Sequence, residues 1–173
     1  MAEDPAPAPL IVLAGAPGAG KSTLAPMLVR SGGGLVVMDM DELLEDGALL
    51  GIPIAHPDAE PIWPAYNRMW DRIVAMVRRS GHPVLLLSPT PSPGELEADN
   101  VCAAPVRWAL LDCDDELRRE RLEARHWPRE WVADALEDAR QTRLFAPAVI
   151  ASDNGSSERV VNEILDWVRR ALM

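Results

Sequence analysis

Between Gly15 and Ser22 the chain reads Gly-Ala-Pro-Gly-Ala-Gly-Lys-Ser, and the residue types in that run suit the handling of phosphate. Glycines let backbone N–H groups turn inward around an anion with no Cβ in the way. A helix that begins at the turn adds the positive end of its dipole. Lys21 brings a mobile point charge to the β and γ phosphates of a nucleoside triphosphate, and the Ser22 hydroxyl reaches Mg²⁺. Gly15, Ala16, Pro17, Gly18, Ala19, Gly20, Lys21, Ser22 and Thr23 are therefore the expected nucleotide contacts. Of the 17 basic side chains Lys21 is the single lysine. A sequence that otherwise uses arginine places lysine where a flexible ammonium works and a rigid planar fork would not.

Two further groups suit phosphate chemistry. Met38-Asp39-Met40-Asp41-Glu42 supplies three carboxylates in a row of five residues. A carboxylate here can accept the proton of an attacking hydroxyl and help orient Mg²⁺; capping of a following helix by Asp39 or Asp41 uses the same residues. Arg118, Arg119, Arg121, Arg125 and Arg129 crowd into twelve positions of an acidic chain. Arg118, Arg121 and Arg125 share one helical face. Arg121 and Arg125 read as groups that close over a transferring phosphoryl group and neutralise its charge. Arg118 and Arg119 read instead as members of a solvated helix paired with Glu120 and Glu123. The break at Trp127-Pro128 reads as the hinge of a lid around residues 118–130.

These residues need elements to position them. Pro9 to Ala14 is a short apolar run that stops at Gly15, as a buried strand does. Lys21 to Ser31 has helical spacing through Leu24, Met27 and Leu28, ended by Gly32 to Gly34. Leu35 to Met38 reads as a second strand, and Asp39 to Leu50 as the start of a helix. After a Pro-rich connection, Ile62, Tyr66, Met69, Trp70, Ile73, Val74 and Val77 form an amphipathic stripe. Pro83 to Leu87 and Val106 to Leu111 read as strands, with a turn-rich run and a short acidic helix between them. Asp114 to Arg125 and Pro128 to Leu144 read as helices, Ala148 to Ala151 as a weak fifth strand. A last helix is capped by Ser156 or Ser157. Strands alternating with helices predict right-handed crossovers and a parallel sheet covered on both faces: an α/β three-layer sandwich. Residues 1–8 read as a flexible lead-in and 9–173 as a single domain.

Composition narrows the function. At 173 residues with 48% hydrophobic and 25% charged residues, the chain fits an ordinary globular protein. No apolar run is long enough for a membrane span, and the N-terminus lacks the features of a secretory signal. Cys102 and Cys113 have no pairing motif, so both read as reduced thiols in a cytoplasmic setting. The net charge of −10 disfavours a long nucleic-acid partner. A GTPase would need Asn-Lys-x-Asp for guanine, which a single lysine at position 21 excludes. AAA+ and transporter ATPases are expected to be longer.

The segments GAPGAGKST, VVMDMDELL and LLDCDDELRRERLEAR together resemble the small P-loop kinases, the group of chloramphenicol phosphotransferase, gluconate kinase, shikimate kinase and the kinase half of polynucleotide kinase. The resemblance implies a five-stranded parallel sheet in the order 2-3-1-4-5, with ATP and Mg²⁺ as cofactors. It implies that Asp41 is the catalytic carboxylate, that Arg121 and Arg125 are lid arginines, and that the loop with Asp153 and Asn154 lies along the adenine. Many of these kinases end the third strand with an acid near Mg²⁺. Here the chain reads Leu87-Ser88-Pro89-Thr90, which leaves the metal to Ser22 and Asp39 or Asp41, while Asp112 follows the fourth strand. The acceptor site is expected between the second-strand turn and the third-strand exit, with His56, Trp63, Tyr66, Asn67 and Ser88 as candidate contacts and Trp70 on the apolar stripe beside them. The expected reaction is ATP-dependent phosphorylation of a hydroxyl on a small molecule, such as an antibiotic or nucleoside, with Asp41 as base, Lys21, Arg121 and Arg125 as charge stabilisers. A nucleotide-binding module without transfer and a nucleotide or polynucleotide 5′-kinase are the alternatives.

Overall fold

The computed structural model describes residues 6–54, 57–96 and 106–173. Five strands make a parallel sheet: β1 (Leu10–Ala14), β2 (Val36–Asp39), β3 (Val84–Ser88), β4 (Arg107–Asp112) and β5 (Val149–Ala151). Their spatial order is β2-β3-β1-β4-β5, the expected 2-3-1-4-5. All five residues of β1 are buried, because the strand has neighbours on both edges and helices on both faces.

The helices are α1 (Lys21–Ser31), α2 (Trp63–Arg79), α3 (Asp115–Glu123), α4 (Arg129–Arg143) and α5 (Ser157–Leu172). Alternate residues of β1 point to opposite faces. Ile11 and Leu13 pack with Leu24 and Leu28 of α1 and with Val160, Ile164 and Val168 of α5. Leu10, Val12 and Ala14 pack with Val74 of α2 and with Leu110. A smaller cluster of Leu122, Val132 and Ala135 joins α3 to α4. Ser156 is the residue that caps α5, its side chain accepting from the Arg159 N–H. The lead-in is tied down before Pro9: Ala8 N–H donates to the Arg78 carbonyl at 3.1 Å, and buried Arg78 donates back to the Ala8 carbonyl at 2.5 Å.

The helix expected over Asp39 to Leu50 does not form. One 3₁₀ turn covers Met40–Leu43, after which Ala48–Leu49 and Ile52–Pro53 pair as a short antiparallel hairpin. Its turn places Leu50 at φ 52° and Gly51 at φ 82°, the two positive angles that match a tight hairpin to the strand twist. Asp46 at φ 51° and Gly47 at φ 77° make a second such break, so a continuous helix cannot pass through the segment. The expected acidic helix before β4 falls largely on residues 97–105, outside the described residues. No helix among the described residues is long and apolar enough to cross a membrane.

Ile164 is fully buried at the centre of α5's packing face. Ile164→Ala is expected to lower stability by about 2–5 kcal/mol, read as a shift of the urea unfolding midpoint. A loss below about 1 kcal/mol would show that α5 is not anchored through this residue.

Candidate functional site

The site lies where the carboxyl ends of β1, β2 and β4 meet the start of α1. Gly15 leaves the sheet with its N–H bonded to the Ser88 carbonyl at 3.1 Å. A Cβ on Gly15 would stand 3.0 Å from the Leu111 carbonyl oxygen, so the loop hugs β4 closely. Gly20 occupies the cap position of α1 at φ 101° in the left-handed region, where glycine is favoured. Gly20 has no side chain with which to cap α1, and the first turn holds no acid; a helix start of this kind favours an anion.

Lys21 is buried, and its ammonium donates to the Gly15 carbonyl. Burial pulls its pKa below the ordinary lysine value, with the carboxylates of Asp41 and then Asp39 opposing the shift. The guanidiniums of Arg118 and Arg125 add to the lowering. Asp39 ends β2 half-buried, and its Oδ1 accepts from the Asp41 N–H at 3.0 Å. Burial pushes the Asp39 carboxyl up from its ordinary range; the Asp41 N–H opposes this and the Asp41 carboxylate adds to it. Asp41, Glu42, Ser22 and Thr23 are exposed.

Arg121 is half-buried and donates to the Gly18 carbonyl at 2.9 Å, whereas Arg125 is exposed one turn further along. After Arg125 the chain breaks at His126, φ 58°. Trp127 then packs edge-on against Trp131, with ring centres 5.7 Å apart. The Asp153 carboxylate accepts from the Asp114 N–H at 2.8 Å, tying the loop after β5 to the start of α3, and Asn154 beside it is exposed.

Arg118 departs from expectation. It is fully buried and not part of a solvated face: it donates to the carbonyls of Pro17 at 2.6 Å and Ala16 at 3.3 Å, and to Asp112 Oδ1 at 2.5 Å. Arg143 of α4, which the sequence reading missed, grips the other Asp112 oxygen at 2.5 Å and Asp115 at 2.6 Å. One signal was available, since Arg118 lies four residues before Leu122, whose apolar side chain marks the buried face of α3. Arg119 is exposed, and its ion-pair partner is Glu116 at 3.6 Å rather than the expected Glu120 or Glu123.

On the acceptor side, Trp63 is 40% exposed and its indole N–H donates to the Ile54 carbonyl at 3.0 Å, holding the hairpin against α2. Asn67 is exposed. Tyr66 and Trp70 are buried with Met40, and the Tyr66 hydroxyl is spent on the Met40 carbonyl. Ser88 is buried and its hydroxyl donates to the Pro89 carbonyl at 2.9 Å. Tyr66 and Ser88 thus serve the scaffold under the site. His56 lies outside the described residues.

The described residues hold no cluster of three or more His, Cys, Asp or Glu side chains arranged for a metal ion. Mg²⁺ that keeps several of its waters takes one or two protein oxygens plus nucleotide phosphates. The exposed Ser22 hydroxyl and the Asp39 and Asp41 carboxylates are the oxygens present for it.

The family model for the AAA domain matches residues 11–143, more than half of the chain and every element from β1 to α4. The chain belongs to that family. No curated protein sequence matches the chain. Among solved structures, this AAA domain is similar to a sugar kinase from Janibacter sp., at 19% identity, TM-score 0.69, covering 96% of this chain and 97% of that one. A gluconokinase from Sinorhizobium meliloti gives 18% identity, TM-score 0.67 and coverage of 96% and 94%. Shikimate kinase from Acinetobacter baumannii, in complex with shikimate, gives 19%, 0.59, and 95% and 94%. At these identities the likeness is one of fold.

Because the raised Asp39 pKa means that its ionised form opposes folding above the ordinary value of 3.8, the penalty is present at neutral pH and vanishes once both folded and unfolded carboxyls are protonated. Asp39→Asn keeps an oxygen for the Asp41 N–H. It is expected to raise the melting temperature of the nucleotide-free protein at about pH 7, with the difference shrinking toward about pH 3. Thermal unfolding across that range checks this; a lower melting temperature at neutral pH would contradict it.

Proposed function

We propose that this AAA domain is an ATP-dependent phosphotransferase that moves a phosphoryl group onto the hydroxyl of a small molecule. The observation that carries the reading is the buried Lys21 at the start of α1, bonded to the loop at the Gly15 carbonyl and within electrostatic reach of the Asp39 and Asp41 carboxylates. An ammonium for the β and γ phosphates and a carboxylate for the acceptor's proton are the two groups that phosphoryl transfer asks of a protein. The names of similar structures, sugar kinase, gluconokinase and shikimate kinase, support a small acceptor.

In this reading the loop from Gly15 to Thr23, with Lys21, binds the phosphates, and Ser22 and Asp39 would hold Mg²⁺. The ion, when bound, offsets phosphate charge. Asp41, exposed beside Asp39, accepts the proton of the acceptor hydroxyl as its oxygen bonds to the γ-phosphorus and the bond to ADP breaks. Arg121 and Arg125 offset the charge on the transferring group, and the segment around 118–130 acts as the lid that brings Arg125 in and excludes water. Asp153 and Asn154 border the base. Trp63 and Asn67, exposed on α2, are the acceptor contacts that best fit the geometry, and a chain of net charge −10 favours a small acceptor over a polynucleotide.

One observation favours a second reading, a nucleotide-binding module without transfer. β3 ends in Ser88, whose hydroxyl is occupied by Pro89, so this strand brings no carboxylate to the metal. ADP release from Mg·ATP over a panel of small alcohols, nucleosides and nucleotides separates the two. Transfer to a small alcohol or nucleoside is expected. Asp41→Ala is expected to lower kcat about 100-fold or more while ATP still binds, and Lys21→Ala to abolish transfer. Full activity of Asp41→Ala removes its role as base; ATP binding with no acceptor in any class favours the second reading, and transfer to nucleotides or 5′ ends alone would make it a 5′-kinase.

A further inference from the structure

Arg118 raises a physical question that stability does not answer. A guanidinium at 0% exposure is costly to bury. An ion pair in that position is weak evidence for stability, because an apolar side chain of similar volume often serves as well or better. Its Nε is buried with no hydrogen-bond partner among the described residues, which adds to the cost. What the guanidinium does and an apolar chain cannot is reach three oxygens at once: the carbonyls of Ala16 and Pro17 and the carboxylate of Asp112.

Those two carbonyls belong to the phosphate loop itself. A peptide unit is planar, so turning the Pro17 C=O toward Arg118 turns the Gly18 N–H the opposite way, while at Ala16, whose peptide ends on a proline without N–H, the bond fixes the path of the chain. Gly18 rests directly on the same side chain: a Cβ there would stand 3.1 Å from Arg118 Cγ, at φ +80°. Arg118 lies with Leu122 on the buried face of α3. Arg121 follows three residues on in the same helix, and Arg125 lies in the turn just past its end.

We propose that Arg118 is a positioning residue for the nucleotide phosphates: held by Asp112 behind the loop, it fixes the Ala16 and Pro17 peptides and the register of α3, so that the loop amides, Arg121 and Arg125 converge on one anion. The proposal rests on the phosphate-loop part of the functional reading and is independent of the acceptor and of transfer.

The decisive variant is Arg118→Lys. Lysine keeps a buried cation for Asp112, so a purely structural role is rescued, but one ammonium cannot span the carboxylate and both carbonyls. Calorimetric titration with Mg·ATP, well below the melting temperature, is expected to give a Kd about tenfold weaker or more, as loss of a supporting contact behind a ligating group commonly does. Val168→Ala, which opens a cavity on the distant face of α5, is expected to lower the melting temperature and leave the Kd unchanged. A folded Arg118→Lys protein that binds Mg·ATP as tightly as the parent overturns the proposal, as does an equal loss of affinity in Val168→Ala. Should Arg118→Lys fail to fold, Asp112→Asn carries the same test: it keeps an oxygen for Arg118 without the charge, a weaker Kd supports the proposal, and an unchanged one overturns it. A parent that does not bind Mg·ATP overturns the nucleotide reading itself, whereas a binding parent with insensitive variants overturns only the role of Arg118.

Discussion

Backbone amides can gather around an anion only if their carbonyls are accommodated on the other side. Every part of this site depends on that constraint. In the loop after β1 four carbonyls accept from cationic side chains: Gly15 from Lys21, Ala16 and Pro17 from Arg118, and Gly18 from Arg121. Lys21 and Arg121 also belong, in the functional reading, to the phosphate chemistry, whereas Arg118 is committed, among the described residues, to the loop and Asp112 alone. Glycine at 15, 18 and 20 is needed for close approach and positive φ, while the Ala16, Pro17 and Gly18 carbonyls accept from groups over a hundred residues away in sequence.

Asp112 makes that arrangement tolerable. It stands at the end of β4 between Arg118 and Arg143, so a guanidinium that would be prohibitively costly alone is paired and largely satisfied. Arg143 in turn reaches Asp115 at the start of α3 and the Cys113 carbonyl. The same few ionic contacts therefore join β4, α3, α4 and the phosphate loop. The Asp39 and Asp41 carboxylates at the end of β2 act electrostatically on Lys21, so an acidic protein has cations and carboxylates together at this site.

Much of this was legible in the residues. The loop, its lysine, the acid turn and the five-strand alternation could be read because each is a local pattern, a spacing or a short apolar run. The buttress could not. Arg118 sits among Arg119, Glu120, Arg121 and Glu123, a run that in isolation describes a solvated helix, and its burial follows from Gly18 and Asp112 lying over it. Tyr66 and Ser88 looked like acceptor contacts for the same reason; a hydroxyl in the sequence does not reveal that the Met40 or Pro89 carbonyl already takes it. The hairpin replaced an expected helix because Asp46, Leu50 and their following glycines adopt positive φ, a choice visible at the glycines and hidden at Asp46 and Leu50.

Sequence alone determined the fold class, the place of the phosphate loop and the carboxylates opposite Lys21, since these depend on residue types a few positions apart. Tertiary structure decided which arginine is buried, which hydroxyls are already bonded and what holds the loop in shape. Those are questions of which long-range neighbour supplies the partner for a desolvated polar group, and no local pattern carries that information.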